Sequence, residues 1–211
     1  MKKSSIRECR LYVIVDRSAV GLRDPVQVAE QAIRGGADCV QWRDKSSPDE
    51  LFLQEARRFR ELTRRTGTLF VINDRLEIAL ACGADGVHLG HEDVPVPQAR
   101  SLAGDRLLIG RSTHSIEEAR RVQEEGADYI GVGPVFATPT KPGYRAVGLE
   151  LVRQASTEIR IPWVAIGGID LQNLRLVLSA GAARVAVVRA VAAASDPEAA
   201  ARALKGVWTP S

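Results

Sequence analysis

Residues 82–90 read "CGADGVHLG", a glycine–alanine turn that leads into a short apolar run. The pattern recurs as "GGADCVQWR" at 35–43, "EGADYIGVG" at 125–133 and "AGAARVAVV" at 180–188. The repeated glycines are Gly36, Gly83, Gly126 and Gly181, which gives steps of 47, 43 and 55 residues. Each turn follows a helix-like stretch and precedes an apolar run, so the chain repeats a unit of helix and strand.

Four more strand-like runs lie between these turns: "LYVIVD", "LFVIND", "LLIGRS" and "WVAIGG". The eight runs alternate with helical segments, among them residues 48–65 and 116–125. Continuous apolar strands are typical of a parallel sheet covered by helices. We therefore predict a single α/β domain over 1–211, a phosphate-binding (β/α)8 TIM barrel with an N-terminal extension (1–9) and a C-terminal tail (206–211). A Rossmann-like open sheet is the alternative, but "GVGPVF" and "IGGI" lack the GxGxxG spacing.

The bulk composition excludes several classes of protein. A net charge of +3 suits anionic small molecules, and 5% aromatics without basic neighbours argue against nucleic-acid binding. Three cysteines without CxxC spacing disfavour a disulfide framework and a thiolate metal site. The apolar run near the N-terminus is too short for a signal peptide or a membrane span, so we expect a cytoplasmic protein without membrane contact.

Polar side chains collect at the predicted strand ends, where TIM barrels carry their chemistry. The alternation of strand residues sends Gln41, Arg43 and Lys45 to one face. Such a polar triplet on a buried face needs a ligand or a counter-charge, and a salt-bridged rim is the alternative to a ligand site. Asp74 and Asp93 follow the third and fourth strands and converge on the same mouth.

Two carboxylates beside several cations suit a magnesium-bridged polyphosphate. Mg²⁺ takes oxygen ligands and keeps several waters, so Asp74, Asp93 and substrate phosphate oxygens could complete its octahedron. The three histidines lack the spacing of zinc ligands. A glycosidase-type acid and base pair is an alternative role for the two aspartates, and capping of the following helices is another.

A second anion site is indicated by "AIGGI" and "VAVVRA" at the last two strands. Backbone amides after strands 7 and 8 cradle a monophosphate in many barrels, and Gly167 and Gly168 would allow a close approach. The mouth therefore offers two anion sites of different character. This layout suits an enzyme with a diphosphate leaving group on one substrate and a monophosphate on the other.

The ordered motifs "VQWRDK", "INDR", "GADGVHLGHEDVP", "IGRSTHS", "YIGVGPVFATPTKPG" and "AIGGI" together resemble the thiamine phosphate synthase family over nearly the whole chain. The resemblance implies a magnesium-dependent transferase with an SN1-like mechanism. Its substrates would be 4-amino-5-hydroxymethyl-2-methylpyrimidine diphosphate and 4-methyl-5-(2-phosphoethyl)thiazole or its carboxylated form. The products would be thiamine phosphate and pyrophosphate. A homodimer is a weaker expectation from the same resemblance.

The resemblance also implies roles for individual residues. Asp74 and Asp93 would hold one Mg²⁺ per active site. The pyrimidine diphosphate would contact Gln41, Arg43, Lys45, Asn73, Ser112 and Lys141. The thiazole phosphate would contact Thr138, Thr140, Gly168, Val188 and Arg189. Arg43, Lys45 and Lys141 would act electrostatically, with no residue serving as general acid or base.

Two departures and one histidine carry specific expectations. Many relatives have Ser where this chain has Arg189, and the sequence leaves open whether its side chain or only its backbone would contact phosphate. Asp44 stands where Glu is frequent and is expected on the outward face. His114 is expected to lie at a helix entry or behind the residues that touch substrate.

Three other functions compete with this interpretation. A thiazole tautomerase of the same barrel family would use His114 for acid–base chemistry but typically lacks the two aspartates and the "TPTK" lysine. A non-catalytic phosphate sensor would have lost the charged mouth residues. A Schiff-base aldolase would need a desolvated lysine, with Lys45 and Lys141 as candidates.

Overall fold

A computed structural model describes residues 5–138, 143 and 145–208. Within these ranges eight parallel strands form a closed barrel in sequence order, which confirms the predicted TIM barrel. Strand β8 pairs with β1 to close the ring, with Leu11 opposite Val185. The strands are β1 Leu11–Asp16, β2 Cys39–Arg43, β3 Leu69–Asn73, β4 Gly86–Leu89, β5 Leu108–Thr113, β6 Tyr129–Val132, β7 Trp163–Ile166 and β8 Val185–Val187.

Ten α-helices and one 3-10 turn at Gly104–Arg106 connect these strands in the described ranges. None of them combines the length and apolar character that crossing a membrane requires. The helix predicted at 48–65 begins and ends one residue later, and the helix predicted at 116–125 ends one residue earlier. The helices are α1 Arg17–Val20, α2 Pro25–Arg34, α3 Asp49–Thr66, α4 Leu76–Cys82, α5 Val96–Ala103, α6 Ile116–Glu124, α7 Gly148–Glu158, α8 Leu174–Ser179, α9 Arg189–Ala192 and α10 Pro197–Gly206.

Helix α3 shows why these segments become helices that cover the barrel. Its apolar residues recur every three or four positions, so one face is buried while the charged residues face water. The ring of Phe59 stacks between Trp42 of β2 and Phe70 of β3, at centroid distances of 5.2 and 5.6 Å. The helix ends at Gly67, which adopts a left-handed conformation (φ 72°) and donates its N–H to the carbonyl of Thr63.

Alternate residues of each strand build two separate cores. In β1, Leu11, Val13 and Val15 pack outward against helices, whereas Tyr12 and Ile14 point into the barrel. The inner core is smaller and contains residues from several other strands.

The amino-terminal segment closes the bottom of this inner core. Ile6 and Cys9 are 6% and 1% exposed and belong to the cluster inside the barrel. The segment is held by Arg184, whose guanidinium donates to the carbonyls of Ile6 (3.1 Å) and Arg7 (2.6 Å). Residues 5–9 are therefore part of the packed structure.

The aspartates of the three "GAD" turns fasten strands together at the amino-terminal end of the barrel. Asp38 accepts hydrogen bonds from the backbone N–H of Leu11 at the start of β1 (2.9 Å). Asp85 does the same for Phe70 of β3 (3.0 Å), and Asp128 does so for Ile109 of β5 (2.7 Å). The glycine–alanine turns precede every second strand. This spacing has a physical basis, because each aspartate links an odd strand to the next even strand.

A cation accompanies each of these aspartates. Asp85 pairs with Arg60 (3.0 Å), and Asp128 pairs with Arg100 (2.5 Å). Asp38 pairs with Lys205 from the last helix. The fourth turn, "AGAAR", has Ala183 at the aspartate position and cannot make this link.

We predict that Asp85→Asn destabilises the barrel. The Asp85 and Arg60 side chains are only 3% and 16% exposed, so the amide would leave a largely buried guanidinium without its counter-charge. The expected loss is roughly 2–4 kcal/mol of unfolding free energy. Urea titration followed by circular dichroism would measure it.

Glu150→Gln is the matched control, because Glu150 pairs with Arg153 on an exposed helix face. Exposed pairs contribute about 0–1 kcal/mol, so this variant should unfold close to the wild-type midpoint. Equal midpoints for Asp85→Asn and Glu150→Gln would contradict a stabilising role for the buried link.

Candidate active site

A cavity of about 330 Å³ opens at the carboxyl ends of the strands. This is the end of the barrel at which TIM-barrel enzymes carry their chemistry. Most of the residues implicated by the sequence line this cavity: Gln41, Arg43, Asn73, Ser112, Thr138, Gly168, Val188 and Arg189. Lys45, Asp74 and Asp93 are not among the lining residues, although Asp74 directly follows Asn73, which is. Thr140 and Lys141 lie outside the described residues.

Alternation along β2 places its polar residues as expected. Gln41 and Arg43 point into the cavity, whereas Trp42 packs outward on α3. The Arg43 guanidinium forms an ion pair with Asp16, whose side chain is 2% exposed at the end of β1. Asp16 also accepts from the backbone N–H of Ser18 (2.8 Å), which caps the short helix α1. Arg43 is thus held in position by a carboxylate that is itself fixed.

Asp74 and Asp93 converge at the ends of β3 and β4. A side chain added at Gly90 would place its Cβ 3.2 Å from Oδ2 of Asp93 and 3.9 Å from Oδ1 of Asp74. Asp74 has a positive φ of 64°, and its N–H donates to the carbonyl of His88 (2.9 Å). Aspartate is among the few residues that tolerate this conformation, so the turn aims its carboxylate across the mouth.

Neither aspartate caps the helix that follows it. The N-cap residues of α4 and α5 are Arg75 and Pro95, and neither helix has a side-chain cap. Oδ2 of Asp93 instead accepts the N–H of Gly90 (2.6 Å). The capping interpretation of the two aspartates is therefore wrong.

The two carboxylates interact directly, and their pKa values move in opposite directions. Burial raises the pKa of Asp93, and the hydrogen bond with Asp74 raises it further. Burial also acts to raise the pKa of Asp74, but hydrogen bonds from Lys45 and Asp93 outweigh it and hold that pKa below its usual value. Lys45 forms an ion pair with Asp74 and is itself 61% exposed.

This donor set fits a hard divalent cation. Two converging carboxylates offer oxygen ligands, and the described residues contain no cluster of three or more His, Cys, Asp or Glu able to hold a metal alone. A cation here would need further oxygens from water or substrate, which distinguishes the site from a closed zinc site.

The other side of the cavity is built from the last strands and the segment after β6. Gly167 and Gly168 have positive φ values of 101° and 64°. A Cβ on Gly167 would lie 2.4 Å from Cβ of Pro134, and one on Gly168 would lie 2.7 Å from the carbonyl oxygen of Ala137. Glycine is required here because this segment packs directly on the turn, a reason for the pair that the sequence did not reveal.

Arg189 begins the short helix α9 at the rim of this side. It is exposed, and among the described residues it has no carboxylate partner. This separates it from Arg43 and Lys45, which are both paired.

His114 lies at the entry to α6, as expected. Its backbone N–H donates to Oε2 of Glu118 (2.7 Å), and its Nδ1 lies 2.5 Å from the carbonyl oxygen of Gly133. The ring also reaches the cavity wall. Whether it lies behind the residues that touch substrate, as the resemblance implies, stays a prediction.

Sequence reasoning missed a polar network inside the barrel. Tyr12 and His88 line the cavity and, together with buried Tyr129, connect the side chains of Gln41 and Ser112. The inward positions of Tyr12 and His88 follow from strand alternation. The contacts among them could not be read from the sequence, because they join strands far apart along the chain.

Asp44, expected on the outward face, is absent from the cavity lining but is buried. It is 4% exposed and accepts hydrogen bonds from the backbone N–H of Ser46 (2.8 Å) and from the hydroxyls of Ser46 (2.7 Å) and Ser47 (2.5 Å). Burial acts to raise its pKa, but these hydrogen bonds lower the pKa below its ordinary value. Asp44 therefore organises the loop that carries Lys45.

We predict that Asp44→Asn lowers stability near neutral pH by roughly 1–3 kcal/mol, because hydrogen bonds to a charged acceptor are lost. A carboxyl whose pKa is lower in the folded state stabilises fully above its unfolded pKa, near 3.8. That stabilisation is lost as the pH falls through the folded-state value. The gap between wild type and variant in urea unfolding should therefore narrow below about pH 4.

Asp105→Asn provides the control, since Asp105 is an exposed residue in the 3-10 turn. Its stability difference from wild type should stay small at every pH. A gap for Asp44→Asn that is constant down to pH 2 would rule out the charged form as the source of stability.

Comparison with known proteins adds family information to this geometry. Residues 11–191 match the family model described as thiamine monophosphate synthase. A thiamine-phosphate synthase from Chloroflexus aurantiacus is 47% identical over 208 residues, covering 98% of this chain and 96% of the relative. A solved structure of thiamine phosphate pyrophosphorylase from Pyrococcus furiosus is 39% identical, with a TM-score of 0.88 and coverage of 96% of both chains.

Other relatives are longer. A thiamine-phosphate synthase from Gloeobacter violaceus is 50% identical over 195 residues, which cover 92% of this chain but 56% of the relative. The chain therefore spans little more than half the length of several curated relatives. These relatives are named as synthases or as a pyrophosphorylase, so the tautomerase alternative has no support.

Proposed function

Because this chain belongs to the thiamine monophosphate synthase family, we propose that it joins an aminopyrimidine diphosphate to a thiazole phosphate. The substrates would be 4-amino-5-hydroxymethyl-2-methylpyrimidine diphosphate and 4-methyl-5-(2-phosphoethyl)thiazole or its carboxylated form. The products would be thiamine phosphate and pyrophosphate. The observation that carries the proposal is the convergence of Asp74 and Asp93, with Lys45 paired to Asp74, directly after the cavity-lining residue Asn73.

The diphosphate end of the cavity is assigned to the charged residues of β2, β3 and β4. Asp74 and Asp93 would hold Mg²⁺, whose hard oxygen chemistry fits two carboxylates completed by water and phosphate oxygens. When bound, the ion would neutralise charge on the departing pyrophosphate. Arg43 and Lys45 would face the same oxygens, and Lys141 is assigned to them by resemblance alone.

The residues at the site suit a dissociative displacement. Charge develops on the leaving pyrophosphate, so fixed cations such as Arg43 lower the barrier without moving a proton. Asp16 holds the Arg43 guanidinium in advance, which limits the reorganisation needed during reaction. The thiazole nitrogen carries no proton when it attacks, so no general base is required. The side chains of Gln41, Asn73 and Ser112 would position the pyrimidine for that attack.

The thiazole phosphate is assigned to the opposite wall. Gly168, Val188 and Arg189 line the cavity there, and Thr138 approaches from the segment after β6. Thr140 completes this set by resemblance and lies outside the described residues. A homodimer stays an expectation of the resemblance.

Two competing functions fit the site less well. Lys45 is 61% exposed and paired with Asp74, which is unlike the desolvated amine of a Schiff-base enzyme. Arg43, Asp74 and Asp93 are present and converge on the mouth, whereas a phosphate sensor would not need a paired carboxylate site.

We predict that product formation depends on both aspartates and on the metal. Purified protein with both substrates and Mg²⁺ should form thiamine phosphate, detected by oxidation to a fluorescent product. Asp74→Asn and Asp93→Asn should each reduce kcat/KM by about 100-fold or more, since loss of electrostatic stabilisation typically costs that much. EDTA should abolish the reaction, and added Mg²⁺ should restore it.

Glu92→Gln is the matched control, because Glu92 is an exposed carboxylate one position from Asp93. It should keep activity within about twofold of wild type, as expected for a surface change. A folded wild-type protein that forms no product would overturn the proposed function. Full activity in either aspartate variant would overturn the assignment of the metal site.

A second prediction concerns the phosphate of the thiazole. The Arg189 guanidinium, which has no carboxylate partner among the described residues, should form a charge-assisted contact with this phosphate. Arg189→Ala should therefore raise KM for the thiazole phosphate about 10- to 100-fold. KM for the pyrimidine diphosphate should be unchanged. Steady-state kinetics with each substrate varied would measure both values.

The unphosphorylated thiazole alcohol supplies an internal control for this variant. Its kcat/KM should be the same in wild type and Arg189→Ala, because the lost contact is to phosphate. With the thiazole phosphate, KM of Arg189→Lys should lie between the values for wild type and Arg189→Ala, since an ammonium keeps the charge but not the fork geometry. Unchanged KM in Arg189→Ala would show that only the backbone serves the phosphate.

A further inference from the structure

Five polar side chains form a continuous hydrogen-bonded path across the barrel interior. Nε2 of Gln41 donates to the hydroxyl of Tyr12 (2.7 Å), which lies 3.2 Å from the hydroxyl of Tyr129. The Tyr129 hydroxyl lies 3.2 Å from Nδ1 of His88, and Nε2 of His88 lies 3.0 Å from Oγ of Ser112. Both ends of the path, Gln41 and Ser112, line the cavity.

The surrounding strands leave space for this path. A Cβ on Gly110 of β5 would lie 2.2 Å from Cζ of Tyr129, and one on Gly131 of β6 would lie 3.3 Å from Cε1 of His88. Glycine inside a strand weakens it and often marks a close approach of another group. These two positions therefore accommodate the rings of Tyr129 and His88.

Burial constrains where the protons of the path can go. Tyr12 and Tyr129 are 1% and 0% exposed, so their hydroxyls find partners within the protein. Burial raises the pKa of both phenols, and both keep their protons at working pH. The nearby Cys39 thiol is a weak acceptor, so the oxygen of Tyr129 is the better partner for the Tyr12 proton.

If donation runs from Gln41 towards Ser112, each hydroxyl or ring N–H along the path donates to the next residue. Tyr12 accepts from Gln41 and donates to Tyr129, which donates to Nδ1 of His88. The ring is then the neutral Nε2–H tautomer and donates to Ser112. The Ser112 hydroxyl is left to donate into the cavity.

The same direction of donation makes Gln41 a hydrogen-bond acceptor toward the cavity. Its amide nitrogen is committed to Tyr12, and its amide oxygen accepts no hydrogen bond from the described residues. The cavity thus presents an acceptor on β2 and a donor on β5. These strands are three apart in a ring of eight, so they face a ligand from different sides.

We propose that Tyr129 and His88 are positioning residues that fix this donor and acceptor pattern, and that the pattern selects a ring with an exocyclic amino group over its oxo analogue. The proposal rests on the proposed function, in which an aminopyrimidine occupies this cavity. The amino N–H would donate to the Gln41 oxygen, and an unprotonated ring nitrogen on the opposite edge would accept from Ser112. A carbonyl in place of the amino group would set oxygen against oxygen.

Tyr129 controls this choice although it lies behind the residues that face the ligand. While Tyr129 accepts the Tyr12 proton, Gln41 can only donate to Tyr12. Without the Tyr129 hydroxyl, Tyr12 can donate to the Gln41 oxygen instead. The Gln41 amide could then rotate and present its NH₂ group to a carbonyl, so the preference would be lost.

The test compares the binding of two pyrimidine ligands. The thiazole substrate is left out, so neither ligand can react with it. Calorimetry without thiazole would give Kd for the 4-amino-5-hydroxymethyl-2-methylpyrimidine monophosphate and for its 4-oxo analogue. Wild type should prefer the amino compound by about 100-fold or more, as expected where an unmatched buried polar group is the penalty. In Tyr129→Phe, which removes one oxygen and keeps the ring, the ratio should fall below about tenfold.

A general loosening of the pocket would weaken the binding of both ligands equally and leave the ratio of their Kd values unchanged. That result in a folded Tyr129→Phe variant would overturn the proposal, as would a wild-type protein that binds both compounds equally. Wild type that binds neither compound would instead overturn the proposed function.

Two further variants complete the test. Tyr12→Phe breaks the path at the residue next to Gln41 and should lose the preference as well; it decides the question if Tyr129→Phe does not fold. Thr63→Val is the control, because Thr63 is a buried hydroxyl in α3, away from the cavity, that donates to the carbonyl of Arg60. Its ratio should match wild type, and a loss of preference there would also overturn the proposal.

Discussion

Closure of eight parallel strands into one barrel is the constraint on which the rest of this structure depends. Each strand sends every second side chain into the same small interior, so these side chains must fit one another in volume and in hydrogen bonding. Tyr12 and Tyr129 meet there although they lie 117 positions apart in the chain. Gly110 and Gly131 show the steric consequence, because a side chain at either position would compete with an inward ring.

The two ends of the barrel use aspartate for different purposes. At the amino-terminal end, Asp38, Asp85 and Asp128 accept backbone N–H groups from neighbouring strands and pair with cations, so their charges are satisfied within the fold. At the carboxyl end, Asp74 and Asp93 cap no helix and lie against each other. Two carboxyls in contact are disfavoured when both are ionised, and a bound cation would remove that cost.

Charges at the mouth are held in pairs before any substrate binds. Arg43 is oriented by Asp16, and Lys45 reaches Asp74, so the cations are positioned in advance. Preorganised charge is effective in stabilising a departing anion because little reorganisation remains to be done. Arg189 differs, since the described part of the chain offers it no carboxylate, and its guanidinium is available to an anion on the opposite wall.

Local patterns in the sequence were sufficient for the architecture and for much of the site. The recurring glycine–alanine turns predict the eight units, and residues at the strand ends predict most of the polar cavity lining, because periodicity and turn chemistry act over a few residues. Which distant groups touch was decided by the tertiary structure: the path from Gln41 through Tyr12, Tyr129 and His88, and the packing of the β6–α7 segment on Gly167. Asp44 belongs to the same category, since its burial depends on how the β2–α3 loop folds over it. Strand register and barrel closure determine such contacts, and neither is encoded in the spacing of any single segment.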